Sequence, residues 1–214
     1  MTVLAFDTTA SYCSVGLETL SGFLTDSIET RYGQAQYLIL MIQRLLEAGH
    51  TTFQDLTSVY VTVGPGSFTG IRVGLSTART LGMALNIPVF GVQSLQAFAQ
   101  SVILHTSITS PVAVVMDTRR KEIFIQVFRQ NAQGHCVPDT EVLSVSYEDC
   151  GALIQTYEAE GIMIAGDISD RFASLNYPLS SIQKIDPYAI IQQGRFRPLA
   201  PEPIYLRPPC VSVV

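Results

Sequence analysis

Two aspartates and one glycine-rich segment are the residues whose types and spacing could do chemistry. Asp7 closes the apolar run Val3 to Phe6 and opens a polar turn, Thr8 to Ser11. Asp117 closes a second run, Val112 to Met116, and opens the turn Thr118 to Lys121. A carboxylate at a strand end ahead of a tight turn is placed to hold the magnesium of a bound nucleotide. The plainer reading is an Asp that accepts hydrogen bonds from the amides of its own turn. Gly64-Pro-Gly-Ser-Phe-Thr-Gly70 joins a β-branched run to a helical pattern. Its glycines permit positive φ, and Ser67 and Thr69 can cap the free N–H groups of a first helical turn. The same geometry attracts phosphate. No Lys follows Gly70, so this is not a Walker A loop, and a tight structural turn accounts for it equally. Asp7, Gly64, Gly66, Ser67, Thr69 and Gly70 are therefore the candidates for weak nucleotide binding. The three histidines, His50, His105 and His135, are out of helical reach of one another and form no zinc motif, so neither a metal nor another cofactor is expected.

The elements that must position these residues follow from hydrophobic periodicity. Strands are predicted at 3–6, 13–17 and 22–28, then a helix over 34–48 stopped by Gly49. A buried strand at 59–63 feeds the glycine segment, a helix runs from about 69 to 85, and Asn86 and Pro88 end it. A strand at 88–92 and a helix capped by Ser94 complete the first half. The second half repeats the opening: strand 112–116, Asp117, a turn, and a returning strand 122–128. A helix near 147–158, a strand at 162–165, a short helix near 188–193 and an extended proline-rich tail over 198–209 follow. The polar stretch 106–111 marks a boundary, giving units 1–107 and 108–214.

Both helices flanking the glycine segment carry wide apolar arcs. On the first, Leu38, Met41, Ile42 and Leu45 belong to an arc of roughly 200°, wider than one sheet contact consumes. On the second, Gly74, Ala78 and Gly82 form a small-residue ridge flanked by Ile71 and Leu75. Burial between layers of the same fold is the plain reading. The other is a subunit interface, and low charge favours it: Asp, Glu, Lys and Arg make up 14% of the chain, against roughly 25% in an average soluble protein. These nine residues are the candidate partner surface.

Apolar residues supply 47% of the 214, enough for a sizeable core, which excludes a disordered chain. A net charge of −5 with no basic stripe argues against a free-standing nucleic-acid binder. Cys13, Cys136, Cys150 and Cys210 are far apart in sequence and are expected to be free thiols. No apolar run approaches the ~20 residues of a membrane span, and no basic residue precedes Arg31 to form a leader's charged region, so a cytoplasmic protein is expected.

Four segments resemble the TsaB (YeaZ) family of tRNA threonylcarbamoyladenosine biosynthesis proteins. They are Leu4-Ala-Phe-Asp-Thr-Thr9, Gly64-Pro-Gly-Ser-Phe-Thr-Gly-Ile-Arg-Val-Gly74, Asp117-Thr-Arg-Arg-Lys-Glu-Ile-Phe124 and Glu202-Pro-Ile-Tyr-Leu-Arg207. The resemblance implies an α/β fold of two RNase H-like lobes, the actin-like and sugar-kinase-like (ASKHA) architecture. It implies a non-catalytic partner of TsaD, which transfers threonylcarbamoyl to adenosine 37 of tRNA, with TsaE joining them. The surplus apolar arcs of the two helices lead to the expectation of a homodimer when the protein is alone, and the lack of a basic stripe to tRNA held only through the complex. TsaD holds its metal with two helical histidines; the matching stretch here, Tyr32-Gly-Gln-Ala-Gln36, has none, and Gln34 replaces the single His often found in the family. The alternative is an ATP-binding ASKHA phosphotransferase or hydrolase built on Asp7, Asp117 and the glycine segment; a third is a protease-like hydrolase.

Overall fold

Alternation along the opening strand sets the architecture. In β1 (Thr2–Asp7), Val3 and Ala5 face one way and Leu4 and Phe6 the other, and all four are fully buried. A strand buried on both faces must be covered on both. β1 pairs antiparallel with β2 (Tyr12–Thr19), which turns back into β3 (Gly22–Glu29). It pairs parallel with β4 (Leu56–Thr62), beside which runs β5 (Val89–Val92), giving the order β3-β2-β1-β4-β5. The structure, a computed structural model, describes residues 1–30, 33–106, 108–118 and 121–206. Arg31, Tyr32, Arg119, Arg120, Arg207 and Cys210, named in the motifs and counts above, lie outside these.

The second sheet repeats the first. β6 (Val112–Asp117) pairs antiparallel with β7 (Ile123–Gln130), and β7 with both β8 (Cys136–Pro138) and β9 (Leu143–Val145). β10 (Met163–Ala165) lies parallel on the other side of β6, so the order β10-β6-β7-β8 matches β4-β1-β2-β3. Two such RNase H-like sheets with helices between and outside them make the expected two-lobed α/β, ASKHA-type fold. The main sheet strands and the five described α-helices fall where periodicity puts them, whereas the short 3-10 turns at Phe53–Asp55, Glu158–Glu160 and Ser169–Leu175 were not anticipated. β8 and β9 were not anticipated, because each is three residues set among polar and turn residues rather than in an apolar run such as the one at 162–165.

Three apolar clusters define the layers. Leu4, Phe6, Val59 and Val61 meet α1 (Gln34–Ala48) and α2 (Phe68–Leu85) on the outside of the first sheet. Ala113, Val115 and Ile125 meet α4 (Tyr147–Gln155) outside the second. Between the sheets, Val3, Ala5, Val114 and Phe128 share one core with α3 (Ser94–His105) and α5 (Pro187–Phe196). Helices α3 and α5 also join through buried glutamines: Gln96 Nε2 donates to Gln193 Oε1 at 2.9 Å, and Gln193 Nε2 to Gln100 Oε1 at 2.5 Å.

The boundary at 107 separates the two sheets but not the helices. α5 packs on β1, β2, β4 and β5 of the first unit, and α3 packs on β6 and β7 of the second. The extended tail crosses the first sheet, pairing Leu199 with Gly91 and donating from Ile204 N to the Val63 carbonyl at 2.8 Å.

The expected partner surface needs correction. Leu38, Met41, Ile42, Leu45, Ile71, Gly74, Leu75, Ala78 and Gly82 are all buried within the chain's own first unit. The small-residue ridge serves α2's approach to its own sheet: a Cβ on Gly74 would sit 2.6 Å from Thr8 Oγ1, and one on Gly82 2.5 Å from Val89 Cγ2. The wide arcs are consumed because α1 and α2 pack on each other as well as on the sheet. The large apolar side chains these helices leave exposed are Tyr37, Ile39, Leu40, Phe68 and Met83.

Candidate functional site

The first strand delivers Asp7 into a fully buried position at the β1–β2 turn. Its Oδ1 accepts from the Thr9 amide at 2.9 Å, the Thr9 hydroxyl at 2.6 Å and the Thr62 hydroxyl at 2.5 Å. Oδ2 is buried without a partner among the described residues. Burial drives the Asp7 carboxyl above the ordinary carboxylate range, and the hydroxyl and amide donors offset this only in part. Thr9 Oγ1 lies 2.8 Å from Ser94 Oγ, which accepts from the Gly64 amide at 3.1 Å. Asp7 thus ties β1, β4, the glycine segment and the start of α3 into one polar knot.

The glycine segment lies directly against the β1–β2 turn. Ser67 N donates to the Thr9 carbonyl at 2.8 Å, and the Ser67 side chain caps α2 by accepting from Gly70 N at 3.2 Å. Gly64 takes a φ of +102°, where a side chain is strained, and a Cβ there would sit 2.7 Å from the Ile204 carbonyl. A Cβ on Gly66 would sit 2.6 Å from the Thr9 carbonyl, and one on Gly70 would strike the Thr8 carbonyl. Of the nucleotide candidates, Asp7, Gly64, Gly66, Ser67 and Gly70 come together, while Thr69 is exposed on the first turn of α2. The loop amides of Gly64, Ser67 and Gly70 all donate to the chain itself. These three amides are satisfied within the fold.

Asp117 ends β6 on the opposite sheet. Its amide donates to Asp167 Oδ1 at 3.0 Å, and Asp167 Oδ2 accepts from the Ser11 hydroxyl at 3.1 Å, bridging the two strand-end turns. Burial, aided by the nearby Asp117 carboxylate, pushes the Asp167 carboxyl up to about 6. Sequence reading missed Asp167, although it follows a short strand, β10, much as Asp7 and Asp117 follow theirs. Gln34, at the start of α1, is buried and donates from Nε2 to the Thr30 carbonyl at 3.4 Å. Among the described residues no three His, Cys, Asp or Glu side chains converge as metal ligands. Cys13, Cys136 and Cys150 are free, and burial pushes the Cys13 and Cys150 thiols up to about 12. No described helix is long and apolar enough to cross a membrane.

A family model described as "TsaD: tRNA N6-adenosine threonylcarbamoyltransferase" matches residues 33–183. The tRNA threonylcarbamoyladenosine biosynthesis protein TsaB of Escherichia coli is 30% identical over 135 residues, 63% of this chain and 58% of that protein. The chain belongs to the TsaD/TsaB (YeaZ) family. Its TsaB relative in Buchnera aphidicola (strain Bp) is 30% identical over 129 residues, 60% of this chain and 58% of the relative. The match therefore spans less than two thirds of either curated relative. The solved structure of YeaZ from Pseudomonas aeruginosa superposes with a TM-score of 0.84 at 22% identity, covering 96% of this chain and 99% of that one. That likeness establishes the TsaB/YeaZ fold across nearly the whole chain.

Proposed function

We propose that this member of the TsaB family is a non-catalytic, cytoplasmic scaffold subunit of the machinery that makes N6-threonylcarbamoyladenosine in tRNA. It pairs with TsaD, is joined by TsaE, and meets tRNA only within that assembly; alone it forms a homodimer. The observation that carries this reading is the closure of the glycine segment onto the Thr8–Thr9 turn. An ASKHA enzyme needs those amides for phosphates, and here they are taken by the chain itself. The outward faces of α1 and α2, with Leu40 and Met83 exposed at 51% and 85%, supply the apolar area for the pairing.

Calorimetry separates this from a stand-alone ATP-dependent enzyme. Titration with TsaD is expected to give saturable binding, and titration with Mg-ATP alone none in the micromolar range. Micromolar ATP binding with turnover by the lone chain would overturn the scaffold reading.

A further inference from the structure

Helix α2 presents two arginines and no acid. Arg72 and Arg79 are exposed and are the only charged residues of this helix. They stand seven residues apart, two helical turns or about 10 Å, and so share one face. Among the described residues neither is ion-paired. The elements packed against α2 add Arg44 and Glu47 on α1, Glu202 in the tail, and no charge on β4 or β5. With three arginines against two glutamates, this face is positive on a chain whose net charge is −5.

The tail holds both guanidiniums by the same side. Arg79 donates to the Pro201 carbonyl from Nε at 2.9 Å and from Nη2 at 2.5 Å. Arg72 donates from Nε to the Tyr205 hydroxyl at 3.4 Å, and its Cζ lies 4.1 Å from the centre of the Phe68 ring. Phe68 and Tyr205 pack ring to ring at 5.2 Å. Both Nη atoms of Arg72 and Nη1 of Arg79 are left without a hydrogen-bond partner among the described residues. Nη2 of Arg79 keeps its second hydrogen. A guanidinium fixed at Nε offers its terminal nitrogens as the fork that a carboxylate takes bidentately. Because the side chain is already ordered, less freedom is lost when that contact forms.

We infer that Arg72 and Arg79 anchor two carboxylates of the partner protein, set about 10 Å apart on a surface that is otherwise apolar. The inference rests on the reading of α2's outward face as the surface that meets TsaD, and it gives that contact its chemistry. Phe68, four residues before Arg72, and Met83, four after Arg79, are exposed on the same side and call for apolar neighbours around the carboxylates. Nucleic acid fits less well, because two cations release few counterions and the chain as a whole is negative. A second copy meeting this face with its own α2 would set four arginines together with no carboxylate between them. The tail is then a positioning element: Pro201 and Tyr205 order the two arginines for a partner that neither of them touches.

The test is calorimetric titration of the full chain with TsaD at about 50 and about 300 mM salt, a change that more than halves the screening length. The unmodified chain should bind at least tenfold more weakly at the higher salt. The double variant Arg72→Gln/Arg79→Gln should bind at least tenfold more weakly at the lower salt and lose most of the salt dependence, with far-ultraviolet circular dichroism unchanged. Salt dependence separates charge from packing, since a loosened tail alone lowers affinity at both salts alike. Leu40→Arg on α1 is the control for the surface itself. Loss of TsaD binding in Leu40→Arg, with unchanged binding in the double variant, would overturn the inference and leave the scaffold reading standing. No TsaD binding at all would sink both. Weakening with an unchanged salt dependence, tRNA binding by the lone chain that the double variant abolishes, or a dimer in sedimentation that it dissociates would each overturn the inference. The arginines would then serve tail packing, phosphate or a second copy.

Discussion

Thr8 and Gly70 hold one another in two ways. The Thr8 hydroxyl donates to the Gly70 carbonyl at 2.7 Å, and the Thr8 carbonyl occupies the place where a Gly70 side chain would begin. This contact seats α2 on the β1–β2 turn and closes the glycine segment against it. Gly70→Ala must therefore displace backbone, which costs on the order of 1–3 kcal/mol. Urea denaturation should show a lowered midpoint with an unchanged slope.

The acidity of Asp167 makes a signed prediction. Its folded pKa, about 6, lies above the 3.8 of an ordinary Asp carboxyl, so protonation favours the fold. The stability it contributes is complete below about pH 4 and is lost as pH rises through 6. A shift of about two units corresponds to at most ~3 kcal/mol, less where water reaches the carboxyl. Asp167→Asn keeps an acceptor for the Asp117 amide and can donate to Ser11. It should flatten the stability profile between pH 4 and 6 and raise the melting temperature at pH 7. Thermal melts across that range check both.

The tail is fastened by the two arginines of α2. Arg79 donates to the Pro201 carbonyl from Nε at 2.9 Å, and Arg72 lies over the Phe68 ring and 3.4 Å from the Tyr205 hydroxyl. Arg79→Ala should loosen the segment without unfolding the sheets, because α2's buried face is untouched. Hydrogen exchange at the Ile204 amide, which donates to Val63, should accelerate while β1 amides keep their protection.

Leu40→Arg and Met83→Arg change exposed positions and should leave the fold intact while weakening association with TsaD at least tenfold. Ala78→Arg is the contrast: Ala78 is fully buried, and a buried unpaired guanidinium should prevent folding altogether. Circular dichroism and a TsaD pull-down on the three variants distinguish surface from core.

Much of this was legible in the sequence, and the misses have physical causes. The strand–Asp–turn–strand repeat at Asp7 and Asp117 announced two related sheets because period-two alternation survives in six- to eight-residue strands. The glycine segment declared a strand-to-helix turn with Ser67 as its cap. What a sequence cannot display is which layer a wide apolar arc meets. Leu38 and Ala78 read as surplus hydrophobic surface, yet α1, α2 and the first sheet consume them. The crossing of α3 and α5 between the units was equally hidden, since it depends on residues nearly a hundred positions apart, such as Gln96 and Gln193. Asp167 escaped notice because Gly166 separates it from the expected strand at 162–165, whereas Asp7 and Asp117 are the last residues of theirs.

The scaffold account is tested most directly by measuring threonylcarbamoyladenosine formed on tRNA by TsaD and TsaE, with an activated threonylcarbamoyl donor, as this chain is titrated in. The account predicts no product without the chain and a yield that saturates once the chain equals TsaD in amount. Undiminished product in its absence, or product formed by this chain without TsaD, would contradict it.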